Sequence, residues 1–208
     1  MAAEARGGPR PTVRRRWVAA GAAAVILVGV AAMMIGREVI SPAPPGPPAQ
    51  AADDRVADDL VAFEDPARRI SISHPPGWRR VAAADPAVAL LAEGDGASML
   101  VRTADLGVEI GPENLDSAKE VSDTLVRAGK HKLLRPPKQV TLGGLPGYLY
   151  LYTYPDPASG QRGAHAQYFL FRGQTLLTLV FQTLPAERFA ALAPLFDRIG
   201  ETLRASPG

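Results

Sequence analysis

Between Lys138 and Gln182 four runs of β-forming residues follow one another, "KQVTLG", "YLYLYTY", "GAHAQYFLFRG" and "QTLLTLVFQ", with only turn residues between them. The separators are Gly143-Gly144-Leu145-Pro146-Gly147, Pro155-Asp156-Pro157-Ala158-Ser159-Gly160 and Gly173. Connections this short join antiparallel neighbours, because a parallel crossover needs about a dozen residues or more. Tyr148, Tyr150, Tyr152 and Tyr154 alternate with Leu149 and Leu151, so the tyrosines face one side of their strand and the leucines the other. A strand apolar on both faces needs cover on both.

Two helices are predicted to supply that cover. Pro112–Ala128 places Leu115, Ala118, Val121, Leu125 and Val126 on one stripe, with Pro112 near its start and Gly129 just past its end. The tail Pro185–Arg204 carries Phe189, Leu192, Phe196, Ile199 and Leu203 at similar spacing, and Pro194 within it is expected to bend or split the helix. Upstream, Ile70 and Ile72 alternate with Ser71 and Ser73 in a strand that Pro75-Pro76-Gly77 ends before Trp78. "AVALLAEGDGASMLVRTAD" reads as a hairpin turning at Gly94-Asp95-Gly96, with a short helix after Asp85-Pro86 as the competing reading of its first half. The expected fold class is α/β (α+β), an antiparallel β-sheet sandwiched by helices.

Ahead of this domain the chain changes character. Trp17–Ile35 is 19 residues without a charge, enough at about 1.5 Å per residue to cross a hydrocarbon core of roughly 30 Å. Arg14, Arg15 and Arg16 precede it, whereas Arg37 and Glu38 cancel after it, so a single-pass helix would leave the N-terminus in the cytoplasm. A cleaved signal peptide is the rival reading, and "VRRRWV" loosely matches a twin-arginine signal. Against it, the apolar run is long and the nearest Ala-x-Ala, Ala49-Gln50-Ala51, lies far downstream. Ser41–Asp59 then holds five prolines followed by four aspartates, the composition of an extended, solvated linker. Its proline-rich dozen would reach only some 40 Å. The expected organisation is a basic tail at 1–16, a transmembrane helix at 17–36, a linker at 37–60 and an extracytoplasmic domain at 61–206.

Composition then narrows the function classes. The formal charge is +2, but residues 1–36 contribute +4, so the rest of the chain is mildly acidic and no nucleic acid partner is implied. Cysteine is absent, which removes disulfides, thiolate chemistry and sulfur-based zinc sites. Arginine is strongly preferred to lysine and alanine is abundant, a bias associated with GC-rich bacterial genomes.

Catalytic patterns are weak throughout. The glycines at 143, 144 and 147 lead into a strand, not a helix N-terminus, so they read as a turn and not as a phosphate cradle. His74, His131 and His165 have no metal-ligand spacing, and no Gly-x-Ser-x-Gly elbow supports a hydrolase. No catalytic residue, metal or cofactor is expected. His165 and Gln167 share a strand face with Phe169 and Phe171; with Trp78, Tyr150 and Tyr152 they are the candidate ligand-binding residues. Lys130, Lys132, Arg135 and Lys138 form a basic run near a helix end, a candidate contact for anionic lipid or a wall polymer.

Taken in order, a strand ending in "HPPGW" (His74–Trp78), a hairpin, a helix, "VTLGGLPGYLYLY", "HAQYFLFRGQTLLTLVFQ" and a last helix closing in "FDRIGETLR" resemble the PsbP-like family. That fold is shared by the photosystem extrinsic protein, a Ran-binding nuclear-import factor and many bacterial envelope proteins. The likeness spans about Phe63 to Arg204. Two departures stand out: Thr202-Leu203 replaces a usual Ser-Phe, and the lipobox cysteine of many bacterial members is missing. The resemblance implies a PsbP-like α/β/α sandwich, no shared active site and a role as adaptor or accessory subunit that binds another envelope protein. A module binding lipid or another small apolar ligand between helix and sheet is the alternative.

Overall fold

The computed structural model describes residues 60–129 and 131–206. The basic tail, the apolar run, the linker up to residue 59 and Lys130 lie outside them. Among the described residues no helix is long and apolar enough to cross a membrane.

Strand alternation builds the centre. Strands β1 (Val61–Asp65), β2 (Ile70–His74), β3 (Arg79–Arg80), β4 (Val88–Gly94) and β5 (Ala97–Ile110) come first. Helix α1 (Leu115–Arg127) follows, entered through a 3-10 turn at Pro112–Asn114. Then come β6 (Lys132–Leu133), β7 (Lys138–Leu142), β8 (Leu145–Pro155) and β9 (Arg162–Thr183), and last α2 (Phe189–Glu201) and β10 (Arg204–Ala205). The main sheet has the order β3-β4-β5-β9-β8-β6, with β7 also paired to β8, and every pair is antiparallel. A second, three-stranded sheet, β1-β2-β10, was not foreseen.

The two expected runs at 163–182 form one continuous extended stretch, β9, whose first limb pairs with β8 and whose second pairs with β5. It reverses at Gly173, which takes φ +56°. Cross-limb contacts prove the reversal: His165 and Gln182 side chains meet at 2.8 Å, whereas 17 residues of straight strand would hold them roughly 55 Å apart.

Alternation then sorts the core into two clusters. Tyr148, Tyr150, Tyr152, Phe169, Phe171 and Leu176 pack under α1 with its Leu115, Ala118 and Val126. On the other face Ala166, Tyr168, Leu170, Leu177, Leu179 and Phe181 pack with Phe196, Ile199 and Leu203 and with Ile70 and Ile72 of the small sheet. Both faces are therefore covered, one by a helix and the other by a helix plus a sheet.

Two local expectations need correction. Val121 is 43% exposed, because at about 100° per residue it lies some 120° from Leu115; Ser122 occupies the stripe instead, its hydroxyl donating to Ala118 O at 3.1 Å. Pro194 sits inside α2 without splitting it. The hairpin at Gly94-Asp95-Gly96 forms as expected, and the segment after Asp85-Pro86 enters its first strand, β4, and not the competing helix.

Tyrosine hydroxyls fasten α1 to the sheet. Tyr150 donates to Asp123 Oδ1 at 2.6 Å, and Lys119 pairs with the other oxygen of Asp123 at 2.7 Å. Tyr150→Phe is expected to cost about 1.5 kcal/mol, a typical value for a hydrogen bond to a charged acceptor, read as a lowered urea midpoint at unchanged slope. A midpoint equal to wild type would show that the hydroxyl adds nothing.

Candidate functional site

The residues predicted to form a site separate in the fold. Trp78 is buried in the cluster under α2, where its ring packs against Gly94, so it is on the opposite side of the sheet from the tyrosines. Tyr150, Tyr152, His165 and Gln167 do share one face, and all four are buried. Lys132, Arg135 and Lys138 lie exposed along the β6–β7 edge of the main sheet. The structure therefore brings together four of the five ligand-binding candidates and leaves the cations at a separate edge.

At the end of β8 farthest from the Gly143-Gly144 turn a polar cluster interrupts the apolar face. His165 Nε2 lies 2.8 Å from Gln182 Oε1, and its Nδ1 lies 2.9 Å from the Tyr152 hydroxyl, which also bonds Gln167 Oε1. Burial pushes the His165 imidazole down to about 4 against an ordinary 6.5, so near neutral pH the ring carries one hydrogen. Nε2–H then donates to Gln182, and Nδ1 accepts from Tyr152. Tyr152 has no second hydrogen for Gln167, so the Gln167 amide turned by half a revolution presents its NH2 to the phenol oxygen and satisfies all three groups.

Rings close the cluster from above and beside. His131 packs on Tyr152 with centroids 4.3 Å apart, and Tyr154 packs on His165 at the same separation. Tyr154 in turn lies over Gly163, its cross-strand partner, where a Cβ would come within 2.3 Å of the ring. Among the described residues, the Tyr154 hydroxyl and His131 Nδ1 have no hydrogen-bond partner. Burial also raises the Tyr150 and Tyr152 phenols well above their usual range and lowers His131. Near neutral pH the His165 imidazole and the Tyr150 and Tyr152 phenols are thus uncharged, and burial biases His131 the same way.

Such a cluster can order a sheet face but offers little to a reaction. His165 touches a phenol and an amide, not a carboxylate or a nucleophile, and it is 2% exposed. Among the described residues, no group of three His, Asp or Glu could hold a metal ion. A cleft of about 750 Å³ opens elsewhere, between the β1–β2 turn and the far end of β5 and β9, and includes Arg68, Asp105, Glu109 and Arg172. Arg172 is committed there to structure: its guanidinium donates to the carbonyls of Arg68, Arg69 and Ser206 at 3.0, 3.2 and 3.0 Å.

Gln182 is the member that sequence reasoning missed. It stands 17 residues from His165, and only counting back from a reversal at Gly173 places the two side by side.

The solution structure of PsbP (CyanoP) from Synechocystis sp. PCC 6803 superposes with a TM-score of 0.52 at 16% identity, covering 71% of this chain and 92% of that one. The fold is PsbP-like. The Ran-binding protein Mog1p of Saccharomyces cerevisiae matches at 0.47 with 13% identity, covering 72% of this chain and 96% of its own. LpqN, involved in cell envelope biogenesis of Mycobacterium tuberculosis, matches at 0.48 with 16% identity, covering 74% of this chain and 96% of its own. At these identities the likeness establishes the PsbP-like fold alone. No protein-family model matches the sequence, and neither does any curated protein.

Burial of His165 has a consequence for stability. Its folded-state pKa of about 4 lies below the unfolded value of 6.5, so the unfolded chain takes up a proton first as pH falls. The contribution is complete above pH 6.5 and is lost between there and pH 4, a difference of about 3 kcal/mol. His131, also depressed by burial, acts in the same direction. Unfolding midpoints measured from pH 7 to pH 4 should fall steeply for wild type and much less for His165→Gln; parallel slopes would show that His165 is open to water.

Proposed function

We propose that this chain is a membrane-anchored, non-enzymatic accessory protein of the cell envelope that presents its PsbP-like domain to a protein partner outside the cytoplasm. The observation that carries the reading is the state of His165: the ring best placed for chemistry is buried, uncharged and bonded only to Tyr152 and Gln182. The helix at 17–36 and the linker at 37–60 supply the tether, with the N-terminus in the cytoplasm. The PsbP-like fold shared with CyanoP agrees with the accessory role that the sequence resemblance implies.

Ligand binding at the tyrosine face is the second reading. It is favoured by the two unpartnered groups, Tyr154 hydroxyl and His131 Nδ1, and weakened by the packing of Tyr150 on Phe169, edge to face at 5.5 Å, where an apolar guest would need room. Photo-cross-linking of the full chain in its native membrane distinguishes the two. Recurrent attachment of one protein to the domain at 61–206 is expected; attachment of lipid alone, or labelling of that domain from the cytoplasmic side, would overturn the proposal.

A further inference from the structure

The edge beside β8 carries an unusual combination. Lys132 and Leu133 pair with Thr153 and Tyr152, Leu134 N–H donates to Leu151 O at 2.9 Å, Arg135-Pro136-Pro137 steps off the strand, and Lys138 resumes the pairing opposite Leu149. Leu133 is 44% and Leu134 56% exposed, two adjacent leucines at the surface. Lys132, Arg135 and Lys138 around them are all exposed, and among the described residues none of the three is in an ion pair.

Guarding a sheet edge explains part of this. Lysine and proline keep other strands from adding to an open edge, and Pro136-Pro137 with the flanking cations does that. Protection does not call for two exposed leucines, which would make an edge stickier. A polyanionic wall polymer would pair with the cations but offers the leucines no apolar phase. A bilayer rich in anionic lipid offers both, phosphates for the cations and an acyl boundary for the leucines.

We propose that Lys132–Lys138 is a membrane-contacting surface, in which Leu133 and Leu134 enter the headgroup boundary of an anionic bilayer while Lys132, Arg135 and Lys138 pair with lipid phosphates. The inference deepens the tethered reading above and rests on it for proximity alone: a linker of 24 residues, roughly 75 Å even if extended throughout at about 3.1 Å per residue, keeps the domain near the lipid. Contact here would fix which way the domain faces. Near such a surface each cation strengthens attachment by about fivefold, so reversing two of them is expected to release it.

Absence of cysteine makes the test clean, since a single introduced thiol is the only labelling site. The full chain carrying Leu134→Cys is labelled with a polarity-sensitive fluorophore and placed in nanodiscs of phosphatidylcholine, with or without phosphatidylglycerol, with a nitroxide quencher on some acyl chains. Glu187→Cys, exposed beside the β4–β5 turn across the sheet, is the control position. The expected result is a blue-shifted, lipid-quenched signal at 134 only in anionic discs, absent at 187, and abolished by Lys132→Glu with Arg135→Glu at an unchanged melting temperature. A signal that stays aqueous in anionic discs overturns the proposal, as does equal quenching in neutral discs. Shielding of 134 by added soluble polyphosphate in place of lipid overturns it in favour of a wall polymer. None of these readings depends on whether a protein partner is found.

Discussion

Phe181→Ala is expected to remove about 3 to 5 kcal/mol of stability, a large share of the roughly 5 to 15 kcal/mol that holds an ordinary domain folded. Phe181 is fully buried in the second limb of β9, opposite Met99 of β5. Its ring stacks on Phe196 of α2 with centroids 4.9 Å apart and meets Tyr168 edge-on at 6.3 Å. Truncation would therefore empty the contact between sheet and helix and strip Phe196 of its stacking partner. Collapse is limited because the neighbours belong to different, separately pinned elements: β5 by its long ladder with β9, α2 by Ile199 and Leu203 in the same cluster. Urea unfolding checks it, and a loss under about 1 kcal/mol would mean that this interface is not the core that the packing indicates.

Gly147→Ala should be nearly as damaging, at about 3 kcal/mol, for a reason of space and not of backbone conformation. A Cβ at 147 would stand 2.0 Å from Phe169 O and 2.9 Å from Leu170 Cα, both main-chain atoms of the adjoining strand. Neither can swing aside, so β8 and β9 would have to part where Gly147 faces Leu170. Gly144→Ala is the informative contrast. Nothing lies within 4 Å of its missing Cβ, but φ is +77°, so only the conformational penalty of about 1 kcal/mol is expected. Equal losses at both positions would contradict this account of the glycine-rich stretch.

That stretch also shows where sequence reasoning works and where it stops. Gly143 and Gly144, both with positive φ, make the turn from β7 into β8, as the pattern implied. Leu145, Pro146 and Gly147, read as part of the same loop, already belong to β8. The tyrosine and leucine faces were legible because strand alternation has a period of two and depends on nothing distant. The small sheet was not: β10 is two residues long and pairs with β2, over 130 residues earlier, so its formation rests on tertiary contacts such as Ser73 N–H donating to Thr202 Oγ1 at 2.8 Å.

The candidate site divides in the same way. His165 and Gln167 could be placed on the tyrosine face by counting along one strand, but Gln182 required the exact register of a hairpin. Aromatic character groups Trp78 with the tyrosines, yet it is packed in the cluster on the opposite face, against Gly94. Helix periodicity gave α1 its stripe and misassigned Val121, whose angular distance from Leu115 takes it off the buried arc.

The central claim is that the polar cluster around His165 is a closed and uncharged part of the core, leaving the surface to carry the function. Titration of the His165 imidazole by nitrogen-detected magnetic resonance, on the full chain in lipid, tests this most directly. The account predicts a neutral ring at pH 5 and above, protonating only near pH 4. A midpoint near 6.5 would show the ring open to water and available for proton transfer, and would contradict it.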